Sequence, residues 1–231
     1  MREAIEVILK VWTADGPVSF QGEFFKFDAP TPRPELGLSL FLRPYQKPHP
    51  PIAIAGVTPG SDTLELAGER GWIPMSINFL HPTLIPTHWQ AVERGAAKAG
   101  RRADRRQWRI VREMYVADTT ERARREVMEI SMRTSFDRYF RSLLSLGPRG
   151  LSVLKPDPSI PDGAITPQYM LDNLWIVGDP AECASRLRQL HHQTGGFGTL
   201  LVICHDWDNK QRWVHSLELL ANKVMPAVAD L

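Results

Sequence analysis

Residues 51–78 read PIAIAGVTPGSDTLELAGERGWIPMSIN, and this stretch decides the fold. An apolar segment at 51–55 is followed by a turn with Pro59 and Gly60, a helical pattern at 61–70 and a second apolar segment at 72–77. Strands that alternate with helices in this way are typical of a parallel sheet covered by helices. The stretch therefore predicts an α/β fold.

The alternation continues towards the C-terminus. The sequence predicts, in order, a helix at 87–99, a strand at 108–117, a long helix at 119–146, a helix from 179, a strand at 199–204 and a last helix at 213–224. In the fourth unit the helix precedes the strand. The apolar run at 200–203 predicts a strand that is buried on both faces. Asp179, Pro180 and Glu182 predict a helix start, with Glu182 returning a capping bond to Asp179.

The part before residue 51 has a different character. Apolar residues at helical spacing predict a helix at 3–12, and a loose alternation around Gly22 predicts a short hairpin at 18–27 outside the main sheet. Seven prolines from Pro30 to Pro51 then exclude regular structure. We predict one domain over 1–231, with an insertion at 13–50 and the strands and helices at 51–231.

Composition limits the function classes. The chain has 231 residues, of which 43% are apolar and 23% charged, and its 28 basic and 26 acidic residues give a net charge of +2. This balance predicts no nucleic-acid partner. One arginine-rich segment, at 101–109, predicts a solvated connection, with a phosphate-binding role as the alternative. No apolar run reaches the ~20 residues of a membrane helix, and two separate cysteines favour a reducing compartment, so we expect a cytoplasmic protein without membrane contact.

Four stretches carry a resemblance that spans nearly the whole chain. They are EAIEVI at 3–8 with Trp12, GEFF at 22–25 with Phe27, KPHPPI at 47–52, and GDP at 178–180 with TGGFG at 194–198. Together they resemble the bacterial luciferase-like, flavin-dependent monooxygenase superfamily, in particular its limonene monooxygenase-like branch. Each stretch is weakly specific alone, but their combination and order are specific.

The resemblance implies a TIM-barrel-type (β/α)8 fold, of which these residues resemble the last four strand–helix units and the insertion before them. The first four strands have no counterpart, so we expect a truncated half barrel. A half barrel exposes two strand edges and an apolar interior. We therefore expect this chain to form a homo-oligomer, to pair with a missing N-terminal half, or to be a remnant.

The turn at 56–61 is the first candidate site. It joins a strand to a helix, where free N–H groups can hold an anion. The resemblance implies that this turn contacts the phosphate of FMN, and the matching positions are Gly56, Thr58, Gly60 and Ser61. The alternative is that Ser61 merely caps its helix.

A second group of candidates follows later strands, at the rim where barrel enzymes place their active sites. His205 and Asp206 are the candidate catalytic residues, and Trp207 is a candidate wall of an apolar substrate pocket. The alternative makes Asp206 a helix cap and Trp207 ordinary packing. Met75 and Ser76 are candidates to line the flavin ring or the substrate. The remaining histidines lack the spacing of metal ligands, so we predict no metal site.

The resemblance implies a two-component monooxygenase. In such an enzyme a separate flavin reductase supplies reduced FMN, and one oxygen atom of O2 goes to an apolar substrate, for which a terpene such as limonene is our expected class. Two alternatives stay open. One is a deazaflavin-dependent oxidoreductase of the same superfamily, and the other is a non-catalytic flavin-binding or assembly module.

Overall fold

The computed structural model describes residues 1–29, 31–37 and 43–231, which form two compact units, Met1–Ile52 and Ala53–Leu231. The first unit holds helix α1 (Arg2–Thr13) and the antiparallel strands β1 (Ser19–Gln21) and β2 (Lys26–Asp28). The predicted helix and the predicted separate hairpin are therefore confirmed. Of the predicted proline-rich segment, Pro30 and residues 38–42 lie outside the described residues. That the two units make up one domain stays a prediction.

The second unit alternates strands with helices. Its strands are β3 (Ala53–Gly56), β4 (Ile73–Ser76), β5 (Arg109–Val116), β6 (Ile176–Gly178) and β7 (Thr199–Ile203). Its helices are α2 (Asp62–Arg70), α3 (Pro86–Lys98), α4 (Thr120–Val127), α5 (Ser131–Ser135), α6 (Arg141–Ser145), α7 (Pro167–Asn173), α8 (Pro180–Thr194), α9 (Lys210–Leu219) and α10 (Met225–Ala227).

All pairings in this sheet are parallel, as predicted. Strand β4 pairs with β3 on one side and with β5 on the other. The first five residues of β5 also pair with β7, and its last three pair with β6. Because every strand runs the same way, their C-terminal ends meet at one edge of the sheet, and that edge positions the candidate site.

Two glycines let α2 and α3 cross closely. A Cβ at Gly68 would lie 2.0 Å from the carbonyl oxygen of Val92, and one at Gly95 would lie 1.8 Å from that of Glu65. Trp108 packs against Trp89 of α3, and the core also contains the fully buried side chains of Trp175 and Trp213. The close crossing fixes the start of α3 against the loop that follows β3.

Strand β6 was not expected from the sequence. It has three buried residues and precedes α8, so the fourth unit also runs from strand to helix rather than in the predicted reverse order. A three-residue strand carries too little pattern to be separated from a loop.

The prediction that the 199–204 strand is buried on both faces is wrong. No residue of β7 is fully buried, and among the described residues its only strand partner is β5. An apolar run predicts that a strand can be covered on two faces, but the covering layer must come from elsewhere in the fold.

The predicted long helix at 119–146 is interrupted. Helix α4 ends at Val127, and Ile130 has the extended angles φ −106° and ψ −178° before α5 begins. A π-helical turn, Phe136–Phe140, then joins α5 to α6. The first part of the predicted apolar stripe is buried, but Tyr139 and Leu146 are exposed. The apolar spacing in the sequence therefore continues across a break between two helices.

The start of α8 differs from the predicted reciprocal cap in one bond. The Asp179 carboxylate accepts from the N–H groups of Ala181 and Glu182, as expected of a cap. The Asp179 N–H, however, donates to the Thr120 hydroxyl at 3.1 Å, while the Glu182 carboxylate pairs with Arg186 at 2.8 Å. A tertiary contact thus replaces the local one.

Within the described residues no helix has both the length and the apolar character needed to cross a bilayer.

Candidate functional site

The turn between β3 and α2, residues 57–61, lies at the C-terminal edge of the sheet. Gly60 has φ 65°, in the left-handed region that favours glycine, and a Cβ there would meet no atom within 4 Å. The Gly60 N–H donates to the Thr87 hydroxyl at 3.2 Å. At the other end, a Cβ on Gly56 would lie 2.5 Å from Leu64, so the strand end packs directly against α2.

Ser61 does not cap α2. Its hydroxyl is 2.8 Å from that of Thr63, and Thr63 donates its own hydrogen to the Ala55 carbonyl at 2.6 Å, so Ser61 must donate to Thr63. The alternative in which Ser61 merely caps its helix is therefore wrong. The N–H groups of Ser61 and Asp62 have no acceptor among the described residues, which is the usual state of a helix start.

A chain of hydrogen bonds, which we call the His88 relay, supports this turn from behind. It consists of Trp108, Ser76, His88 and the backbone of Thr58. His88 Nε2 is 2.9 Å from the Thr58 carbonyl oxygen, and His88 Nδ1 is 2.9 Å from Ser76 Oγ. Trp108 Nε1 donates to the same Ser76 oxygen at 2.9 Å.

The relay has one consistent arrangement of hydrogens. A carbonyl oxygen only accepts, so His88 Nε2 must donate to Thr58. Burial lowers the pKa of His88 to about 4, so the ring is neutral at pH 7 and Nδ1 accepts from the Ser76 hydroxyl. Ser76 in turn accepts from Trp108. Every polar atom of the three side chains therefore has a partner.

This arrangement changes the role predicted for Ser76. The sequence suggested that Ser76 lines the flavin ring or the substrate, but its side chain is fully buried and directed to His88 and Trp108. Its neighbour Met75 is partly exposed and, by the alternation of a strand, points to the opposite face. Met75 thus stays a candidate contact, and Ser76 becomes a positioning residue.

A second polar group, which we call the Glu113 cluster, joins the interior of β5 to the segments that follow β4 and β7 and consists of Asn78, Glu113 and His205. Asn78 Nδ2 donates to Glu113 Oε1 at 2.5 Å, and His205 Nε2 lies 3.9 Å from that oxygen. The side chains of Glu113 and His205 are only 3% and 7% exposed. Among the described residues, Glu113 Oε2 and His205 Nε2 have no hydrogen-bond partner.

Burial governs the charges in this cluster. It raises the pKa of Glu113 and lowers the pKa of His205, so it favours the neutral form of each group. The fully buried guanidinium of Arg112 donates to the carbonyls of Asn78 and Leu80, at 2.9 and 2.8 Å. Its positive charge favours the ionised form of Glu113 and so opposes the rise of the Glu113 pKa. The cluster is thus a buried, partly unsatisfied polar site.

The loop after β7 is held in place by its backbone. Ser131 Oγ donates to the Asp206 carbonyl at 2.8 Å and contacts Asp208 Oδ1 at 3.1 Å. The Asn209 side chain, not that of Asp206, caps α9, so the alternative role for Asp206 as a helix cap is wrong. Asp206 is exposed, and Trp207 is 50% exposed.

An aromatic group lies beside His205. The ring of Phe140 is 4.8 Å from that of Phe79, 5.0 Å from that of Tyr139 and 6.2 Å from that of His205, measured between centroids. This arrangement makes the surroundings of the Glu113 cluster apolar.

The arginine-rich segment at 101–109 lies at the opposite end of the strands. A cavity of about 690 Å³ there is lined by Trp89, Glu93 and residues 101–106. The Arg105 guanidinium lies 4.7 Å from the centroid of the Trp89 ring and donates to the carbonyls of Thr194 and Gly196. Arg105 therefore ties the segment before β5 to the segment before β7, while Trp108, at the end of the arginine-rich segment, belongs to the His88 relay.

The structure brings Gly56, Thr58, Gly60 and Ser61 together in one turn and places His205 against Glu113. Sequence reasoning missed Asn78, Glu113 and His88. The signal for Glu113 was a charged residue inside an otherwise apolar strand, beside Arg112. His88 carried no signal, because its partners are remote in sequence. Among the described residues, no three metal-binding side chains gather in one place.

A family model described as luciferase-like monooxygenase matches residues 1–196. The 3,6-diketocamphane 1,6-monooxygenase of Pseudomonas putida is 30% identical over 242 residues, which cover 99% of this chain and 61% of that protein. Limonene 1,2-monooxygenase of Rhodococcus erythropolis is 30% identical over 165 residues, which cover 70% of this chain and 40% of that protein. The chain thus spans less than two thirds of the length of these relatives.

Solved structures agree with this similarity. The oxygenating constituent of 3,6-diketocamphane monooxygenase from Pseudomonas putida, a type II Baeyer–Villiger monooxygenase in complex with FMN, matches with a TM-score of 0.82 and 30% identity over 97% of this chain and 61% of its own. An F420-dependent secondary alcohol dehydrogenase shares the fold, with a TM-score of 0.64 and 19% identity over 98% of this chain and 60% of its own. The predicted α/β barrel type of fold is confirmed.

Proposed function

The chain belongs to the luciferase-like monooxygenase family, and from this premise we propose that it binds FMN and serves the transfer of one oxygen atom from O2 to an apolar substrate. The observation that carries the proposal is the open turn at 57–61. It presents helix-start N–H groups at the sheet edge, in a chain similar to a relative that was solved with FMN. Helix starts bind phosphate through such groups.

The turn fits a phosphate in its shape and in its donors. Gly60 leaves the approach open, because no side chain projects from it. The N–H groups of Ser61 and Asp62 are the proposed donors, and the partial positive charge of the α2 start adds to their attraction. The exposed carboxylate of Asp62 opposes an anion at this place, so the turn must bind chiefly through its backbone.

The cofactor supplies the oxygen chemistry, and the protein binds, orients and excludes water. Met75 is the proposed contact to the ring system from β4. His205 and Asp206 are the proposed polar contacts near the reacting atoms, and of these only His205 is shielded from water. Trp207 and the aromatic group around Phe140 are the proposed walls of an apolar cavity.

The proposed substrate is an apolar compound of the terpene class, and the proposed partner is a flavin reductase that supplies reduced FMN. The aromatic surroundings of His205 support the first of these. The similarity to the diketocamphane and limonene enzymes supports both. A deazaflavin oxidoreductase is the alternative within the family, and the F420-dependent dehydrogenase of the same fold supports it.

One observation favours a second function, that of a non-catalytic flavin-binding or assembly module. Among the described residues, β7 pairs with β5 alone and β3 pairs with β4 alone, so each keeps an edge open to a further strand. We propose that a second copy or another polypeptide pairs with these edges. Light scattering should then report an oligomer, and a monomer that melts cooperatively would contradict this part of the proposal.

Titration of the chain with FMN, followed by flavin fluorescence, tests the main proposal. Riboflavin, which lacks the phosphate, is the matched control ligand, and F420 tests the alternative. We expect FMN to bind at least 10-fold more tightly than riboflavin, since a charge-assisted phosphate contact contributes at least ~1.4 kcal/mol. Absence of FMN binding at high micromolar concentration would overturn the proposal, and tighter binding of F420 would favour the alternative.

A further inference from the structure

The Glu113 cluster contains two titratable side chains that each have a buried atom without a partner among the described residues. Glu113 Oε1 is occupied by the Asn78 amide, whereas Glu113 Oε2 and His205 Nε2 lack partners among the described residues. Buried polar atoms without partners cost about 1–3 kcal/mol each, so folded proteins rarely keep them without a functional reason. Both atoms belong to titratable side chains, which approach each other to 3.9 Å between Glu113 Oε1 and His205 Nε2.

The hydrogens of the pair can be assigned. Burial favours an uncharged carboxyl, and its hydrogen can lie on Oε1, the oxygen beside His205, because an O–H oxygen keeps a lone pair that accepts from Asn78. Burial also favours a neutral His205, so one of its ring nitrogens is free to accept. If that nitrogen is Nε2, a donor on Glu113 faces an acceptor on His205. The long separation resembles catalytic hydrogen bonds that tighten only when a ligand binds.

The surrounding charges permit either position of the hydrogen. Arg112 favours a negative charge on Glu113, and Asp206 and Asp208 favour a positive charge on His205. Burial opposes both charges. The neutral pair and the ion pair therefore differ only in where one proton sits, and no net charge enters or leaves the buried site when that proton moves.

We propose that Glu113 and His205 share one proton and that Asn78 positions the carboxyl for this exchange. The O–H bond at Glu113 Oε1 breaks as the N–H bond at His205 Nε2 forms, which leaves a carboxylate beside an imidazolium and needs no further reactant. Glu113 is thus a positioning residue that sets the protonation of His205. A contact between this pair and a polar atom of the substrate rests on the proposed function. The proton exchange between Glu113 and His205 does not.

A titration of His205 in the free protein by ring ¹⁵N and ¹³C nuclear magnetic resonance tests the proposal without flavin. Two groups that share a proton titrate in two macroscopic steps that belong to the pair. We expect two steps at His205 in the wild type and a single step at lower pH in Glu113→Gln, which keeps the shape but removes the carboxylate. Asp206→Asn is the control: it removes a charge that favours the protonated ring, so both steps should move to lower pH, but both should remain.

Two further variants keep the test decisive if Glu113→Gln unfolds. His205→Gln should remove one of the two steps from the ¹³C signal of the Glu113 carboxyl, and Asn78→Ala should alter the separation of the steps without abolishing them. A single step at His205 in the wild type, unchanged in Glu113→Gln within about 0.2 pH units, would overturn the proposal. Failure to bind FMN would leave this result standing, so the two proposals fail independently.

Discussion

The His88 relay and the Glu113 cluster each include a residue at or just after the C-terminal end of β4, Ser76 and Asn78, yet they differ in how their polar atoms are satisfied. In the relay, Trp108, Ser76 and His88 have a partner for every polar side-chain atom. In the cluster, Glu113 and His205 each leave one buried atom without a partner among the described residues. A satisfied buried network fixes a shape, whereas an unsatisfied one is available to a ligand or a proton. The His88 relay is thus suited to support the turn, whereas the Glu113 cluster is suited to bind a ligand or exchange a proton.

The largest effect should come from breaking the relay. His88→Phe keeps an aromatic ring but leaves the Ser76 hydroxyl hydrogen without an acceptor and the Thr58 carbonyl oxygen without the His88 donor, at about 1–3 kcal/mol each. We expect a loss of about 3 kcal/mol in the free energy of unfolding, measured with urea. His88→Gln, whose amide nitrogen can still donate to Thr58, should recover part of it. A free energy of unfolding for His88→Phe equal to that of the wild type would contradict a supporting role of the relay.

The next effect is the pH dependence that His88 confers. The pKa of His88 is about 4 in the folded chain and 6.5 in its ordinary state, so the unfolded chain takes up the proton first as pH falls. Stability is therefore complete above pH 6.5 and declines between pH 6.5 and 4, by up to about 3 kcal/mol. The free energies of unfolding of the wild type and of His88→Gln, measured with urea between pH 6.5 and 4, differ by the pH-dependent contribution of His88.

His81, whose pKa burial also lowers to about 4, titrates in the same range in both proteins and cancels in that difference. Parallel stability curves for the wild type and His88→Gln would contradict a neutral, buried His88.

The smallest effect should come from Glu113→Gln at pH 7. A protonated Glu113 and a glutamine are both neutral and can both accept from Asn78, so we expect the free energy of unfolding to change by less than about 1 kcal/mol. Removing one partner of a buried ion pair costs about 3–5 kcal/mol instead. A loss of that size would show that Glu113 is ionised at pH 7.

The sequence predicted the features that depend on local pattern. The strand–helix alternation from residue 51, the start of α8 at Asp179 and the turn at 57–61 all follow from residues that are neighbours in the chain. The break near Ile130 was not predictable, because the apolar spacing continues through it. Nor was the exposure of β7, since burial depends on what covers a strand.

The same limit applies to the site. Gly60 and Ser61 could be placed, because a strand–turn–helix is a local signal. Glu113 and His88 could not, because their partners lie 35 and 30 residues away. Long-range pairing decides whether a buried histidine is a satisfied support or a free proton acceptor, and no residue spacing encodes it.

The most direct test of phosphate binding at residues 57–61 compares Gly60→Asp with Gly60→Asn. Both side chains tolerate the left-handed conformation of Gly60 to a similar degree, so the pair differs in one negative charge at the mouth of the turn. We predict that FMN binds Gly60→Asp at least 10-fold more weakly than Gly60→Asn, while riboflavin binds both equally. Equal FMN affinities for the two variants would contradict the account.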